Sequence, residues 1–357
     1  MGSATAYHLA KRGRKVLGLE RFEIGHDRGS SHGITRIIRL AYAEDPRYVP
    51  LLRRAYELWR EIEAIAKEPL LIVTGGVDAG LEQSDTIQGS LRSCREHSLP
   101  HELLSAADLH RRFPGYQLPK TMVGVYQPDG GFVLSERTIL AYVAAARSEG
   151  AEIHSGERVQ RWEVKGGEVE VRTSAGHYRA NRLVITAGAW ASQLIPNLRA
   201  VPERQVLIWT DPRRPEFFQP SVFPIFNLEA PEGRFYGYPI YGIPGFKAGR
   251  YHHREERADP DTLDRECHPE DERVLRDVFR YFPDAEGPTL SMKTCMFTNS
   301  PDGHFLIDLH PDHPQVSFAA GFSGHGFKFA SVVGEIMADL AFEGGYRRAD
   351  LRLFSLR

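Results

Sequence analysis

Residues 1–20 read MGSATAYHLAKRGRKVLGLE, and this stretch decides the fold of the chain. A short helical pattern rich in alanine and leucine ends at Gly13, and an apolar run of strand length follows and ends on Glu20. This order is typical of the second half of a dinucleotide-binding βαβ unit, in which an acid about twenty residues after the glycine-rich turn binds ribose hydroxyls. Any αβ pair of an α/β protein is the alternative interpretation.

The unit normally begins with a strand and three glycines, of which only Gly2 stands in this sequence. We therefore expect Met1 and Gly2 beside the diphosphate site, with a gap in the sheet where the first strand belongs. A start placed too late in the reading frame is the expected cause.

Composition favours a small-molecule partner. The 357 residues carry a net charge of -2 with 26% charged residues, which does not favour nucleic acid or an anionic membrane. No apolar run reaches the length of a membrane span and no signal pattern is present, so a soluble, cytoplasmic protein is expected. The three cysteines, Cys94, Cys267 and Cys295, do not predict a disulfide framework.

Two further segments combine glycines with cations. Residues 31–39 read SHGITRIIR, where small residues permit close approach of a ligand and Arg36 and Arg39 add permanent charge. A surface loop with solvated arginines is the alternative. Residues 321–328 read GFSGHGFK between a strand and a helix, where backbone amides and a helix N-terminus can face an anion.

Periodicity predicts helices over 47–68, 135–149, 271–282 and 330–342, and a hairpin at Gly166-Gly167. The run LVITAGAW at 183–190 reads as a buried strand that stops on Ala187-Gly188 before a helix, which suits a parallel sheet covered on both faces. Short aromatic strands between 200 and 300 predict a second, mostly antiparallel sheet. Lys247 on one of these strands is flanked by glycines, which favours a position facing a ligand, although a lysine extending to solvent is the alternative.

Taken in order, these motifs resemble the monomeric sarcosine oxidase and N-methyltryptophan oxidase family of flavoenzymes. The resemblance is carried by SHGITRIIR at 31–39, by Lys247, by Cys295-Met296 and by AGFSGHGFK at 320–328. It implies a two-domain α/β (α+β) chain, with a glutathione-reductase-type FAD-binding domain whose βαβ start is truncated and an antiparallel-sheet substrate domain. The FAD-binding domain is expected from 1–70, 135–200 and 295–357, and the substrate domain from 71–134 and 201–294.

The resemblance also implies roles for individual residues. Cys295 matches a cysteine bonded covalently to the flavin, and Glu20 matches the acid on the adenosine ribose. Arg39 and Lys328 match the pair that receives the substrate carboxylate, and Lys247 matches the lysine where oxygen is activated. The remaining catalytic candidates are His32, Arg36 and His252, the substrate pocket includes Tyr236, and the further cofactor-binding candidates are Gly2, Thr35, Gly324, Gly326 and again Lys328.

The implied reaction is FAD-dependent oxidation of the secondary amine of an N-methyl or cyclic amino acid, which gives an imine, then an aldehyde and an amine, and hydrogen peroxide. The implied partners are the amino acid and oxygen, and the implied state is a monomer. Phe297 and Asn227 stand where sarcosine oxidases have tyrosine and methionine, so the particular amino acid is left open. Two alternatives remain: a flavin amine dehydrogenase with an acceptor other than oxygen, and a chain that cannot hold FAD without its first strand.

Overall fold

The computed structural model describes residues 1–356 and shows a mixed α/β fold. Its helices are α1 Gly2–Lys11, α2 Val49–Ala66, α3 Asp85–Glu96, α4 Ala106–Arg112, α5 Ser135–Ser148, α6 Ala191–Leu194, α7 Pro269–Arg276 and α8 Ala330–Glu343. Its strands are β1 Leu17–Leu19, β2 Thr35–Ile38, β3 Leu71–Val73, β4 Gly76–Leu81, β5 Glu102–Ser105, β6 Met122–Gln127, β7 Gly131–Leu134, β8 Glu152–His154, β9 Val159–Lys165, β10 Glu168–Thr173, β11 His177–Ala180, β12 Leu183–Ile185, β13 Val201–Thr210, β14 Ile225–Ala230, β15 Gly233–Tyr238, β16 Phe246–Arg250, β17 Thr289–Asn299, β18 Leu306–His310 and β19 His313–Ala320.

Helix α1 lies in the core of the nucleotide-type part of the fold. It packs against α5 and α8, and residues Ala4 to Ala10 are buried. The crossing with α8 is close: a Cβ placed on Gly334 would lie 2.6 Å from the Cβ of Ala4. This approach requires glycine at position 334, because any larger residue would push the two helices apart.

Two parallel strand pairs flank a gap beside α1. Strand β1 pairs with β8, and β12 pairs with β19, whose other edge carries the antiparallel β18. The free edges of β1 and β12 line one cavity through residues 17–19 and 183–185. No strand of residues 1–356 lies between them, so the gap expected from the sequence is present.

The second sheet has eight strands in the order β17-β13-β16-β15-β14-β4-β6-β5. All its pairs are antiparallel except β14 with β4, which confirms the mostly antiparallel sheet predicted for residues 200–300. A cluster of buried phenylalanine rings packs on it, including Phe218, Phe223, Phe226, Phe246 and Phe282. The two-domain division stays a prediction, and β17 crosses its 294/295 boundary.

Most predicted helices are present with small changes at their ends. The helix expected over 271–282 is the exception: α7 ends at Arg276 and a 3-10 turn covers Asp277–Arg280. Pro283 disfavours helical backbone only at Phe282, whose φ is -138° and ψ 59°, so it explains why the helix does not reach 282. Strands β9 and β10 form the predicted hairpin, with Gly166 and Gly167 at φ of 59° and 89°. Within residues 1–356 no helix combines the length and apolarity needed to cross a membrane.

Candidate cofactor and substrate site

One cavity of about 1160 Å³ runs from the start of α1 to the second sheet. Its wall includes Gly2 and Glu20 at one end and Cys295 and Lys328 at the other. Sites for drug-sized ligands usually measure about 300–1000 Å³. The cavity therefore has room for a dinucleotide as well as a small second molecule, and part of its volume is the gap between β1 and β12.

The end near α1 has the features of a diphosphate and ribose site. Helix α1 has no acidic side chain in its first turn, so the positive end of its dipole is free to face an anion. A Cβ on Gly2 would lie 2.7 Å from Oγ1 of Thr186, so a glycine is required there. Glu20 follows β1, and its Oε1 accepts a hydrogen bond from the Phe22 amide at 2.9 Å.

Cys295 on β17 provides a reactive thiol on the cavity wall. Although burial raises its pKa, His32 and the guanidinium of Arg36 lower that pKa to about 7. The Nη2 of Arg36 lies 3.8 Å from the Cys295 sulfur and also donates to the Ser30 carbonyl at 2.8 Å. The Cys295 thiol therefore ionises more readily than an ordinary cysteine.

The segment before β2 holds a strained turn. Ile34 has a φ of 73°, a left-handed conformation that a β-branched residue rarely adopts. The carboxylate of Glu136 accepts hydrogen bonds from the amides of Gly33, at 2.7 Å, and Ile34, at 3.0 Å. On the other side, Nζ of Lys247 donates to the Gly33 carbonyl at 2.6 Å and to the carbonyl and hydroxyl of Thr35, both at 2.9 Å.

A buried charge network lies at the substrate end. The guanidinium of Arg39 donates through Nε to Asp78 at 3.2 Å and through Nη2 to Glu44 at 3.4 Å. Arg234 donates to the second oxygen of Glu44 at 3.1 Å. Burial raises the pKa of Glu44, but Arg39 and Arg234 hold it well below its usual range. The Glu44 carboxylate is thus ionised, and Arg39 reaches the cavity wall.

Lys328 lies beside this network and also lines the cavity. Its Nζ donates to the His325 carbonyl at 2.8 Å and lies 5.4 Å from the centre of the Tyr42 ring, which Arg39 contacts at 4.9 Å. His325 is held by Tyr42, whose hydroxyl lies 2.5 Å from Nδ1, and by the Gly303 carbonyl, 2.9 Å from Nε2. Arg39 and Lys328 therefore both lie beside the Tyr42 ring and both line the cavity, where they can receive one carboxylate.

Aromatic rings complete this end of the cavity. Tyr251 lies between Tyr236 and Phe297, with ring centres 5.4 Å and 5.3 Å away, and its hydroxyl donates to the Gly324 carbonyl at 3.3 Å. Asn227 also lines the cavity. Its amide nitrogen donates to Asp78 at 2.7 Å, which leaves its carbonyl oxygen as a hydrogen-bond acceptor.

The structure gathers most of the predicted site residues on this wall. Those lining the cavity are Gly2, Glu20, Arg36, Arg39, Tyr236, Cys295, Gly324, Gly326 and Lys328. His32, Thr35 and Lys247 lie immediately behind it. Lys247 is buried rather than extended to solvent, which excludes that alternative, but its amine is bonded to backbone and does not reach the wall.

His252 is the one candidate that the structure directs away from the cavity. Its side chain is 50% exposed, and its Nδ1 lies 3.0 Å from Oε1 of Glu203. The reason is the backbone, because His252 has a φ of 50° that turns its side chain outward. The preceding residue, Tyr251, lines the cavity instead. The signal for it in the sequence is an aromatic residue that directly follows strand β16.

The residues present fit a flavin dinucleotide. Both ring nitrogens of His32 are buried without a hydrogen-bond partner among residues 1–356. His32 lies beside the thiol of Cys295, at the end of the cavity where a flavin ring is expected; we call this the ring end. A helix N-terminus and an acid lie at the other end, at the positions that a diphosphate and a ribose require. Together, the fold and the site define a nucleotide-dependent oxidoreductase.

The chain belongs to the FAD dependent oxidoreductase family, whose model matches residues 1–340. It is 45% identical over 352 residues to a monomeric sarcosine oxidase of Streptomyces avermitilis, with 96% of this chain and 91% of the relative covered. It is 33% identical over 344 residues to an N-methyl-L-tryptophan oxidase of Yersinia pestis, with 95% and 91% covered. Among solved structures, the open form of NikD, an amino acid oxidase of nikkomycin biosynthesis, superposes with a TM-score of 0.83 at 25% identity, covering 99% of this chain and 94% of NikD.

The family membership confirms the class of enzyme and the cofactor expected from the sequence. The chain is an FAD-dependent oxidoreductase, and the whole-chain similarity to the two oxidases confirms the resemblance drawn from the four motifs.

Proposed function

We propose that this chain oxidises the secondary amine of an N-methyl amino acid, with release of hydrogen peroxide. One observation carries the proposal: two buried basic side chains, the guanidinium of Arg39 and the amine of Lys328, lie on an aromatic wall of the cavity that Cys295 also lines. Cations in this position select a carboxylate, and the adjoining rings select an apolar group on the amine or side chain. The names of the relatives from Streptomyces and Yersinia support the same substrate class.

Holding the carboxylate gives the protein control of orientation. Arg39 has its Nε and Nη2 directed by Asp78 and Glu44, so its remaining nitrogen is pre-positioned for a ligand. FAD, when bound, would supply the two-electron acceptor for oxidation of the C–H bond adjacent to the amine, with oxygen as the final acceptor. The chain's own contribution is to fix the amino acid by its carboxylate and to exclude water with Tyr236, Tyr251 and Phe297.

The substrate's side chain is expected to meet Asn227. Because the Asn227 amide nitrogen is bound to Asp78, the carbonyl oxygen is the group available to a ligand. An N-methyl amino acid with a hydrogen-bond donor on its side chain fits this oxygen, whereas a purely apolar side chain leaves it unpaired.

Cys295 is the residue proposed to hold the flavin covalently. The observation in support is its ionisable thiol on the cavity wall, between Arg36 and His32. Acid-precipitated protein is expected to keep its yellow flavin, and Cys295→Ser protein is expected to release it to the supernatant. A colourless precipitate of the unchanged protein contradicts the covalent bond.

A flavin dehydrogenase that passes electrons to another acceptor is the second candidate. One observation favours it: the amine of Lys247, assigned to oxygen activation, makes three hydrogen bonds to protein and does not line the cavity. Oxygen consumption compared with dye reduction at equal substrate distinguishes the two. Under the first proposal oxygen consumption matches the full turnover, and under the second dye reduction exceeds it many-fold.

We further propose that the protein acts as a cytoplasmic monomer. The first relative carries the word monomeric in its name, which supports the state of association. Sedimentation velocity is expected to give one chain per particle.

The reaction class is tested by peroxide release from FAD-loaded protein. The substrates are sarcosine, N-methyltryptophan, pipecolate, proline and a fructosyl amino acid, with dimethylamine as the control that has no carboxylate. The proposal predicts peroxide from at least one N-methyl amino acid and none from dimethylamine. Silence on every amino acid, in protein whose flavin spectrum is intact, contradicts the proposal.

A further inference from the structure

At the substrate end of the cavity, one of three basic side chains has no carboxylate partner. Arg39 is paired with Asp78 and Glu44, and Arg234 is paired with Glu44. Two carboxylates therefore balance two guanidinium groups. Lys328 is a third basic side chain on the same wall, and it has no carboxylate partner in the described part of the chain.

The surroundings of the Lys328 amine do not favour a charge. The side chain is 5% exposed, and its Nζ makes one hydrogen bond, to the carbonyl of His325. No carboxylate oxygen in the described part of the chain lies within ion-pair distance of it. A buried ammonium with one acceptor and no counter-charge is costly, so the protein holds this amine neutral until an anion arrives.

We propose that Lys328 is the base that takes the proton which the substrate's secondary ammonium loses on binding. This inference rests on the proposed function, because it requires an amino acid whose carboxylate lies between Arg39 and Lys328. The N–H bond of the ammonium breaks, a new N–H bond forms on Nζ, and the electron pair stays on the substrate nitrogen. No oxidation or reduction accompanies the step.

The proton transfer gives both Lys328 and the substrate amine the charge state that their roles require. In an α-amino acid the nitrogen and the carboxylate are separated by one carbon, so a carboxylate bound at Lys328 brings the ammonium to the same wall. After transfer, the new ammonium of Lys328 pairs with the substrate carboxylate. The substrate amine becomes neutral, which is the form whose lone pair supports oxidation of the adjacent C–H bond.

The groups that face Lys328 agree with this role. Burial lowers the pKa of Lys328. The charges of Arg39 and Arg234 lower this pKa further, whereas Glu44 and Asp78 raise it, and the net result is a pKa of about 7. Burial also lowers the pKa of His325 to about 4, so this imidazole is neutral. The titratable and charged groups around the amine are Arg39, Tyr42, Glu44, Asp78, Arg234 and His325.

Proton uptake on binding of methoxyacetate tests the proposal without turnover. This ligand keeps the carboxylate and replaces the amine by an ether oxygen. Calorimetry of the FAD-loaded protein in buffers of different ionisation enthalpy is expected to show uptake of about 0.9 proton at pH 8 and about 0.1 at pH 6. Binding with no uptake at pH 8 overturns the proposal, because Lys328 is then already charged.

Two variants assign the proton to Lys328. Lys328→Arg carries a permanent charge and Lys328→Met carries none, so both are expected to bind methoxyacetate without uptake at pH 8. Uptake that persists in Lys328→Arg overturns the assignment and points to another group. If Lys328→Arg does not fold, the same comparison is made with Lys328→Met, and uptake that persists there overturns the assignment.

The pH profile of turnover separates a base from a merely structural lysine. For the unchanged protein, kcat/KM is expected to fall tenfold per pH unit below about 7, where Lys328 is already protonated and cannot accept a proton. In Lys328→Arg this limb is expected to move up toward the pKa of the free amine, about 10. A limb that stays near 7 in Lys328→Arg contradicts the proposal. Peroxide from the unchanged protein with no such limb sinks this inference but leaves the proposed function intact, whereas failure of every carboxylate to bind overturns both.

Discussion

At the scale of single residues, the pKa of Cys295 is the property that bears most directly on the cofactor. His32 and Arg36 offset the effect of burial and lower this pKa to about 7, whereas burial raises the pKa of Cys94 to about 12. The two buried thiols differ because His32 and Arg36 outweigh burial at Cys295, whereas at Cys94 burial and Asp78 outweigh the opposing effect of Arg39 and Arg95. Reactivity toward an electrophile should follow the same difference.

Alkylation by iodoacetamide, followed by mass spectrometry of each cysteine, checks this prediction in protein prepared without FAD. Modification of Cys295 is expected to rise with pH through a midpoint near 7, because only the thiolate reacts. In Arg36→Gln the midpoint is expected to move upward, and Cys94 is expected to stay unmodified in both proteins. Equal pH profiles for Cys295 with and without Arg36 contradict the account.

The neighbouring positions Tyr251 and His252 give a second prediction. Tyr251→Ala removes an aromatic side chain of the cavity wall together with its contacts to Tyr236 and Phe297, and is expected to raise KM about 10-fold or more. Tyr251→Phe removes only the hydrogen bond to Gly324 and is expected to cost less than about 10-fold. His252→Ala is expected to change KM less than Tyr251→Ala. A larger effect at His252 contradicts the position that the structure gives to these two side chains.

At the scale of elements, the turn before β2 depends on a carboxylate from the start of α5. Glu136 accepts the amides of Gly33 and Ile34, and the strain at Ile34 persists because Glu136 and Lys247 hold the turn from opposite sides. This turn places His32 and Arg36 beside Cys295. Glu136 therefore connects the start of α5 to the ring end of the cavity.

Glu136→Gln is expected to lower the free energy of unfolding by about 1–3 kcal/mol and to weaken FAD binding. The matched control is Glu63→Gln, because Glu63 also accepts two backbone amides, those of Leu70 and Leu71, away from the cavity. Urea unfolding is expected to show a loss of stability in both variants, and fluorescence titration with FAD a loss of affinity only in Glu136→Gln. Equal FAD affinities would remove Glu136 from the site.

Some elements could be predicted from the sequence and others could not. Helix α1, the β1 strand and the glycine-rich 321–328 segment carry local patterns and could be predicted from the residues, whereas the roles of Cys295, Arg39 and Lys328 follow only from the resemblance to a known family. Glu136 could not be found, because an acid in the first turn of a helix is indistinguishable from ordinary dipole stabilisation until its partner 103 residues away is known. Tyr251, and not His252, lines the cavity because His252 has a positive φ. The residue type at position 252 does not predict this backbone conformation.

At the scale of the whole molecule, the sheet is interrupted between β1 and β12. Both free edges expose backbone groups to the same cavity, beside the residues that face the diphosphate. A strand placed between β1 and β12 would form backbone hydrogen bonds with both. It would also reduce the volume of the cavity to the part that a dinucleotide needs. We therefore expect a coupling in which a strand that fills this gap both stabilises the fold and tightens FAD binding.

An engineered extension ahead of Met1 tests this coupling. An apolar segment of strand length followed by Gly-x-Gly is expected to raise the free energy of unfolding by about 2–5 kcal/mol, from new backbone hydrogen bonds and apolar burial, and to tighten FAD binding. The control extension carries proline in the middle of the strand, which cannot complete the ladder. If both extensions give the same unfolding midpoint and FAD affinity, the gap does not accept a strand.

The central claim, that an amino acid held by Arg39 and Lys328 is oxidised at its amine by bound FAD, is tested most directly by anaerobic spectroscopy. FAD-loaded protein is mixed without oxygen with an N-methyl amino acid, and the flavin absorbance is followed. We predict that the yellow absorbance disappears with the amino acid, remains with dimethylamine, and returns when oxygen is admitted. A flavin spectrum that stays unchanged with every N-methyl amino acid would contradict the claim.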